Sequence, residues 1–196
     1  MAFTQASLGA IGKDAMTVAA GGYDADIAAS GDDGHVGWGA NTTTWDSSTS
    51  GTLIAATASA SGGLYIGLRF INVTVAQGAT ISSATLTLTQ SDASGVAVGS
   101  LWYGWDTDNA AQFSDATDTP NTATRTTASS QIQSHGGAAY LEVTHDVTSI
   151  VQEIINRGGW SSGNALTLMG IAVTPTTLFA RSFDNGSGIP NLTITV

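Results

Sequence analysis

Acidic side chains concentrate directly after the stretch SLWYGW, and oxygen-rich segments of this kind can bind metal ions. The set consists of Asp106, Asp108, Asn109, Asp115 and Asp118. Calcium is a hard cation that takes carboxylate and carbonyl oxygens as ligands, so these residues form a candidate Ca²⁺ site. The spacing lacks the glycine at position 6 and the glutamate at position 12 of an EF-hand loop. A solvated loop whose carboxylates cap turns explains the same residues as well, and both interpretations stay open.

A second acidic group lies near the start of the chain, in the run YDADIAASGDD. Its members are Asp24, Asp26, Asp32 and Asp33. The same ligand chemistry applies to them. Ca²⁺ is therefore the single cofactor kept open by the sequence, and no other is predicted.

Aromatic residues in SLWYGW raise the question of sugar binding. Trp102, Tyr103 and Trp105 lie in a predicted strand, where successive side chains point to opposite faces. They cannot all face inward, so one face of the strand shows aromatics to solvent, a loop or a partner. Exposed aromatics on such a face would support a lectin-like role. Packing in the core or at its rim is the alternative for these residues, and also for Trp38, Trp45 and Trp160.

The sequence contains no recognisable catalytic constellation. His35, His135 and His145 are too scattered for a metal-binding motif, and we expect them on the surface or at strand ends. There is no H-E-x-x-H run. Glu142 and Glu153 are the only glutamates, and we expect Glu153 on the solvent side of a helix. The chain is therefore predicted not to be an enzyme.

Composition narrows the class of partner. The chain has 196 residues, enough for one domain, with 5 Lys and Arg against 15 Asp and Glu and a net charge of −10. A chain this acidic has no cationic footprint for phosphates or anionic lipid, which argues against nucleic-acid and membrane binding. It contains no cysteine. The N-terminus lacks the pattern of a secretory signal, so we expect synthesis in the cytosol and, for a virion component, release by lysis.

Period-2 patterns recur from Leu53 onward and indicate short strands. In GATISSATLTLTQS, for example, Ala84, Leu86 and Leu88 alternate with threonines. About nine such strands at intervals of roughly 8–15 residues are typical of a sandwich or jelly roll. A long polar segment, 106–137, is predicted as a loop. The fold predicted is an all-β jelly-roll β-sandwich over residues 23–196, preceded by an N-terminal arm over residues 1–22.

One helix, over about residues 147–157, interrupts this pattern in the stretch HDVTSIVQEIINRGGW. Ile150, Val151, Ile154 and Ile155 form one apolar stripe. Asp146, Thr148 or Ser149 can cap its start, Ser149 and Gln152 fit a capping box, Arg157 suits the last turn, and Gly158 suits the C-cap. A helix of three turns is not stable alone in water, so we expect it to cover an edge or open end of the sandwich.

Residues 64–196 resemble DNRLRE-type, carbohydrate-binding-module-like jelly-roll domains. The resemblance is carried by the DVT helix start, by the segment YIGLRFINVTVAQGATISSATLTL and by the ending ARSFDNGSGIPNLTITV. Such domains occur in large surface proteins and as virion parts. The resemblance and the composition together favour a virion structural protein, a capsid decoration, cement or fibre protein that self-associates and contacts a capsid or tail protein. A carbohydrate-binding module of a surface or extracellular protein is the alternative, and a Ca²⁺-stabilised adhesion module a third hypothesis.

Overall fold

The structure is a computed structural model, and it describes residues 21–36, 44–47, 51–59, 62–91, 100–114, 119–132, 140–172 and 177–196. Most of the predicted arm, together with Trp38, Asp115, Asp118 and His135, lies outside these ranges. The strands are β1 (Tyr23–Asp26), β2 (Asp33–Val36), β3 (Trp45–Asp46), β4 (Thr52–Ser59), β5 (Gly62–Phe70), β6 (Ser83–Thr89), β7 (Ser100–Trp105), β8 (Arg125–Ile132), β9 (Glu142–Asp146), β10 (Leu166–Ala172), β11 (Thr177–Arg181) and β12 (Asn191–Thr195), and the helix is α1 (Thr148–Ile155).

The strands form two antiparallel sheets, and their order confirms the predicted jelly roll. The small sheet has the order β1-β12-β6-β9. The large sheet contains β5-β10-β7-β8, is extended beyond β5 by β4 and β11, and also pairs β2 with β5 and β3 with β2. Along the chain, β1, β6, β9 and β12 belong to the small sheet, while β5, β7, β8 and β10 belong to the large one. This alternation is the double Greek key of a jelly roll.

The core lies between the sheets because each strand turns its apolar positions inward. Ala84, Leu86 and Leu88 of β6 are buried, while Thr85 and Thr87 point outward and are half-buried. Ile66, Leu68 and Phe70 of β5 are completely buried on the facing side. The alternation seen in the sequence is therefore realised in both layers.

The helix packs against β8, β7 and β6, and β8 is the last strand of the large sheet. Its stripe of Ile150, Val151, Ile154 and Ile155 is buried. The helix comes close to β7 at Gly104, where an added Cβ would lie 2.5 Å from Ile154 Cδ1 and 2.9 Å from Ile150 Cγ2. The expectation that the helix covers an edge of the sandwich is thus confirmed.

The predicted caps of the helix are wrong in detail. Asp146 Oδ1 accepts a hydrogen bond of 2.9 Å from the Thr148 N–H, but the Ser149–Gln152 capping box does not form. Gln152 instead accepts from the Ile81 N–H at 2.8 Å and donates to the Ala79 carbonyl at 2.9 Å. The C-cap is Asn156, not Gly158. Tertiary partners outcompete the local caps, so the helix side chains anchor the loop before β6.

The segment predicted as one long loop, 106–137, contains β8. The prediction failed there because RTTASSQI is almost entirely polar and shows no clear apolar alternation. Among the described strands, β8 is an end strand that pairs only with β7.

Candidate functional site

The three aromatic residues of SLWYGW have three different environments. Trp102 points inward, has no exposed surface, and its Nε1 donates to Ser100 Oγ at 2.9 Å. Tyr103 and Trp105 point outward from the large sheet. Trp102 therefore has no free ring face for a sugar, which is the core packing that the sequence left open as an alternative.

Trp105 is also buried, because the segment after β7 folds back over it. Its ring stacks on Phe113 with the centroids 5.1 Å apart and the planes at 8°, and Phe113 contacts Trp45 at 5.0 Å. Gly67 of β5 makes room for this cluster, since an added Cβ would lie 2.5 Å from the Phe113 ring. The predicted polar loop thus has an aromatic anchor on the outer face of the large sheet.

Tyr103 lies beside this cluster, on the part of the outer face that the loop leaves half-exposed. The guanidinium carbon of Arg125 lies 5.2 Å from the centroid of the Tyr103 ring and 5.0 Å from that of Tyr65. These distances are within the range of cation–π contacts. The half-exposed Ile171 of β10 pairs with Tyr65 and with Leu101 of β7, which is also half-exposed. We call Tyr65, Tyr103 and Arg125 the arginine platform.

The candidate Ca²⁺ residues Asp106 and Asp108 bind an arginine. Arg157 Nε donates to Asp108 Oδ1 at 2.7 Å, and a terminal nitrogen of Arg157 donates to Asp106 Oδ1. These contacts raise the pKa of Arg157, with the Asp108 bond as the largest cause. Gly159 allows this arrangement, because an added Cβ would lie 2.1 Å from an Asp108 carboxylate oxygen.

The amides near this pair hold the loop rather than face outward. Asn109 Oδ1 accepts from the Ala165 N–H at 2.9 Å, and Asn164 Nδ2 donates to the Asp108 carbonyl at 2.9 Å. Within the described ranges, no group of three or more His, Asp or Glu side chains is arranged to hold a metal ion.

The second acidic group is divided among three environments, the third of which is that of the buried Asp33. Asp24 and Asp26 are exposed on the small sheet, and each accepts a hydrogen bond of 3.0 Å from Asn191 Nδ2. Asp32 instead forms an ion pair with Arg69, at 2.6 Å between Oδ1 and the guanidinium. The sequence proximity of the four carboxylates therefore does not bring them into one site.

Asp33 and His35 are both buried and point inward from β2. Asp33 Oδ2 accepts from the Phe183 N–H at 2.8 Å, while its Oδ1 has no hydrogen-bond partner. Burial raises the pKa of Asp33 to about 7, with smaller contributions from Asp184 and Asp32. Burial also lowers the pKa of His35, against the opposing charge of Asp46 at 4.0 Å.

The expectation that the histidines lie on the surface is wrong for the two that the structure describes, and each is the next-to-last residue of its strand. His145 of β9 is completely buried, and its ring lies 5.6 Å from that of Trp102. His35 is 4% exposed. Both side chains point inward from their strands. The sequence around each histidine has no regular alternation, so it does not show which face of the strand the histidine occupies.

The outer face of the small sheet carries a polar groove of about 310 Å³. Its lining residues are Asp26, Thr87, Thr89, Glu142, Gly188, Ile189 and Asn191. Next to it lie Tyr140 and Leu141, which are 65% and 43% exposed. Tyr140 adopts a left-handed backbone with φ of 64°, and the Arg181 guanidinium lies 4.6 Å from its ring centroid.

Two charged side chains in the described part of the chain have no partner of opposite charge or hydrogen bond. Arg125 lies over two tyrosine rings. Glu142 lines a groove on the small sheet. The other described carboxylates each contact an arginine, a histidine, a side-chain amide or hydroxyl, or a backbone N–H. Sequence reasoning identified Tyr103 but missed Tyr65 and Arg125, because they meet only through the pairing of β5, β10, β7 and β8.

No family model matches the chain, and no curated protein matches it. No helix in the described ranges is both long and apolar enough to span a membrane.

Proposed function

We propose that this chain is a non-enzymatic structural protein of a virion surface, a decoration, cement or fibre subunit on a phage-like particle. The observation that carries the proposal is that most charged side chains of the described residues bind other groups of the same chain. Asp106 and Asp108 hold Arg157, Asp32 holds Arg69, and Glu153 binds the backbone of β8. Side chains committed in this way stabilise loops and edges, which suits a scaffold.

The architecture supports the same proposal by analogy, since jelly rolls are common in viral capsid and lectin domains. An analogy of fold does not by itself assign a function. The acidic charge adds a physical reason, because charge of a single sign keeps a protein soluble at high local concentration.

Cryo-electron microscopy of particles produced with this chain tests the proposal. We expect surface density that fits the two sheets and α1, present in many symmetry-related copies. Particles that lack such density, with the chain left in the soluble fraction, would contradict a virion role.

Carbohydrate binding is the second candidate, and the groove on the small sheet favours it. Carboxylates, threonine hydroxyls and an amide line the groove, and an exposed tyrosine ring lies at its side. Such groups recognise sugar hydroxyls, while an aromatic ring packs on the apolar face of a sugar. Affinity gels cast with neutral polysaccharides should retard the chain, and Glu142→Gln should reduce the effect. Migration unchanged on every polysaccharide would exclude this function.

A further inference from the structure

We propose that copies of this chain associate front to back, with the arginine platform of one copy binding Glu142 of the next. The inference deepens the proposed function, since it names the surfaces that would join subunits of a multi-copy particle. Arg125 and Glu142 are the charged residues of the described chain that have no hydrogen bond or ion pair. They lie on the outer faces of different sheets, so one molecule cannot satisfy them with each other.

The arginine platform has the geometry to bind a carboxylate. The Arg125 guanidinium lies over the rings of Tyr65 and Tyr103, and its N–H groups have no acceptor among the described residues. A planar guanidinium binds a carboxylate with two parallel hydrogen bonds. Because the rings fix the guanidinium in advance, less conformational entropy is lost on binding.

Glu142 has the complementary surroundings. Tyr140 and Leu141, which precede it, are two of the three large hydrophobic residues that are exposed in the described chain. Arg125 likewise has the half-exposed Leu101 and Ile171 on its own face. Apolar and tyrosine contacts around an ion pair exclude water from it, which is the composition of interface hot spots.

The two patches are different surfaces, so the contact is heterologous. A heterologous contact leaves one free patch at each end of a dimer, and it therefore continues into a ring or a filament. Either product fits a decoration or fibre subunit. This contact does not form a two-fold dimer, because a two-fold axis brings the same patch of both copies together.

Sedimentation velocity of the full chain over a range of concentrations tests the proposal. We expect wild type to form species larger than a dimer. Arg125→Ala and Glu142→Ala should each weaken association about tenfold or more. Asp24→Ala, which removes an exposed carboxylate at the far edge of the same sheet, is the matched control and should associate like wild type.

Mixing the two alanine variants tests whether the contact joins two different patches. Each retains one intact patch, so an equimolar mixture should form dimers and stop there. A wild type that stays monomeric at all concentrations, or variants that associate as wild type does, would overturn the inference. Monomeric behaviour would leave the virion role intact, because that role is measured separately on particles.

Discussion

Glu153 Oε2 accepts a hydrogen bond of 2.7 Å from the backbone N–H of Ala128, which joins the helix to the end strand of the large sheet. Its Oε1 accepts from the Thr127 N–H at 2.8 Å. The sequence predicted Glu153 on the solvent side of the helix, and in the structure it is half-exposed but bound to β8, a contact that the sequence did not predict. Unpaired strand edges invite pairing with other chains, and native proteins cover them. One carboxylate therefore satisfies two donors of the edge that the helix covers.

Glu153→Ala should destabilise the fold by about 2 kcal/mol, because it removes two charge-assisted hydrogen bonds at a partly covered site. Urea unfolding measures this change. Glu142→Ala is the matched control, since Glu142 has no partner in the described chain, and its free energy of unfolding should stay near that of wild type. Equal effects of the two substitutions would mean that the contact with β8 adds no stability.

Asp33 should make stability depend on pH. Its pKa is raised from 3.8 to about 7 in the folded protein, so between these values the folded state holds a proton that the unfolded state has lost. The stabilisation is complete below pH 3.8 and is lost as pH rises through 7, by at most about 4 kcal/mol. His35 acts in the opposite direction, because its lowered pKa removes stability as pH falls below its usual 6.5.

Asp33→Asn should isolate the Asp33 contribution. The amide oxygen can still accept from the Phe183 N–H, and the charge that burial disfavours is gone. We expect the variant to be more stable than wild type at pH 8 by about 1–2 kcal/mol, and less dependent on pH between 4 and 7. Thermal unfolding across this range measures it, with Asp24→Asn as an exposed control. Lower stability than wild type at pH 8 would contradict the assigned pKa.

Arg157→Ala should loosen the segment after β7, because Asp106 and Asp108 would lose their shared partner. Amide hydrogen exchange of residues 106–112 should become faster, while β10 and β5 keep their protection. Arg157→Lys should restore only part of the effect, since an ammonium cannot reproduce the two-sided contact of a guanidinium. Unchanged exchange in the alanine variant would show that the ion pairs do not order the segment.

Chelation should leave the melting temperature unchanged, because Arg157 already binds both Asp106 and Asp108. Differential scanning calorimetry with and without EDTA, and with added Ca²⁺, measures it. A ligand that binds only the folded state raises the melting temperature. A clear fall with EDTA would therefore revive the Ca²⁺-stabilised module.

The sequence predicted the features that depend on local pattern and missed those that depend on tertiary partners. The alternation of apolar and polar residues in β6 and the apolar stripe of the helix depend only on the order of residues along the chain. The two layers and the helix could therefore be predicted. The strand β8 was missed because an end strand with polar side chains needs no apolar period. The arginine platform joins residues from three strands, and the burial of His145 depends on strand register, so neither has a local signal.

Co-sedimentation of the chain with intact particles through a density gradient is the most direct test of the proposal that the chain is a structural protein of a virion. We expect the wild-type chain in the particle fractions at a constant ratio to the main capsid protein, and Arg125→Ala at a reduced ratio. A wild-type chain that stays at the top of the gradient, away from every particle fraction, would contradict the virion role.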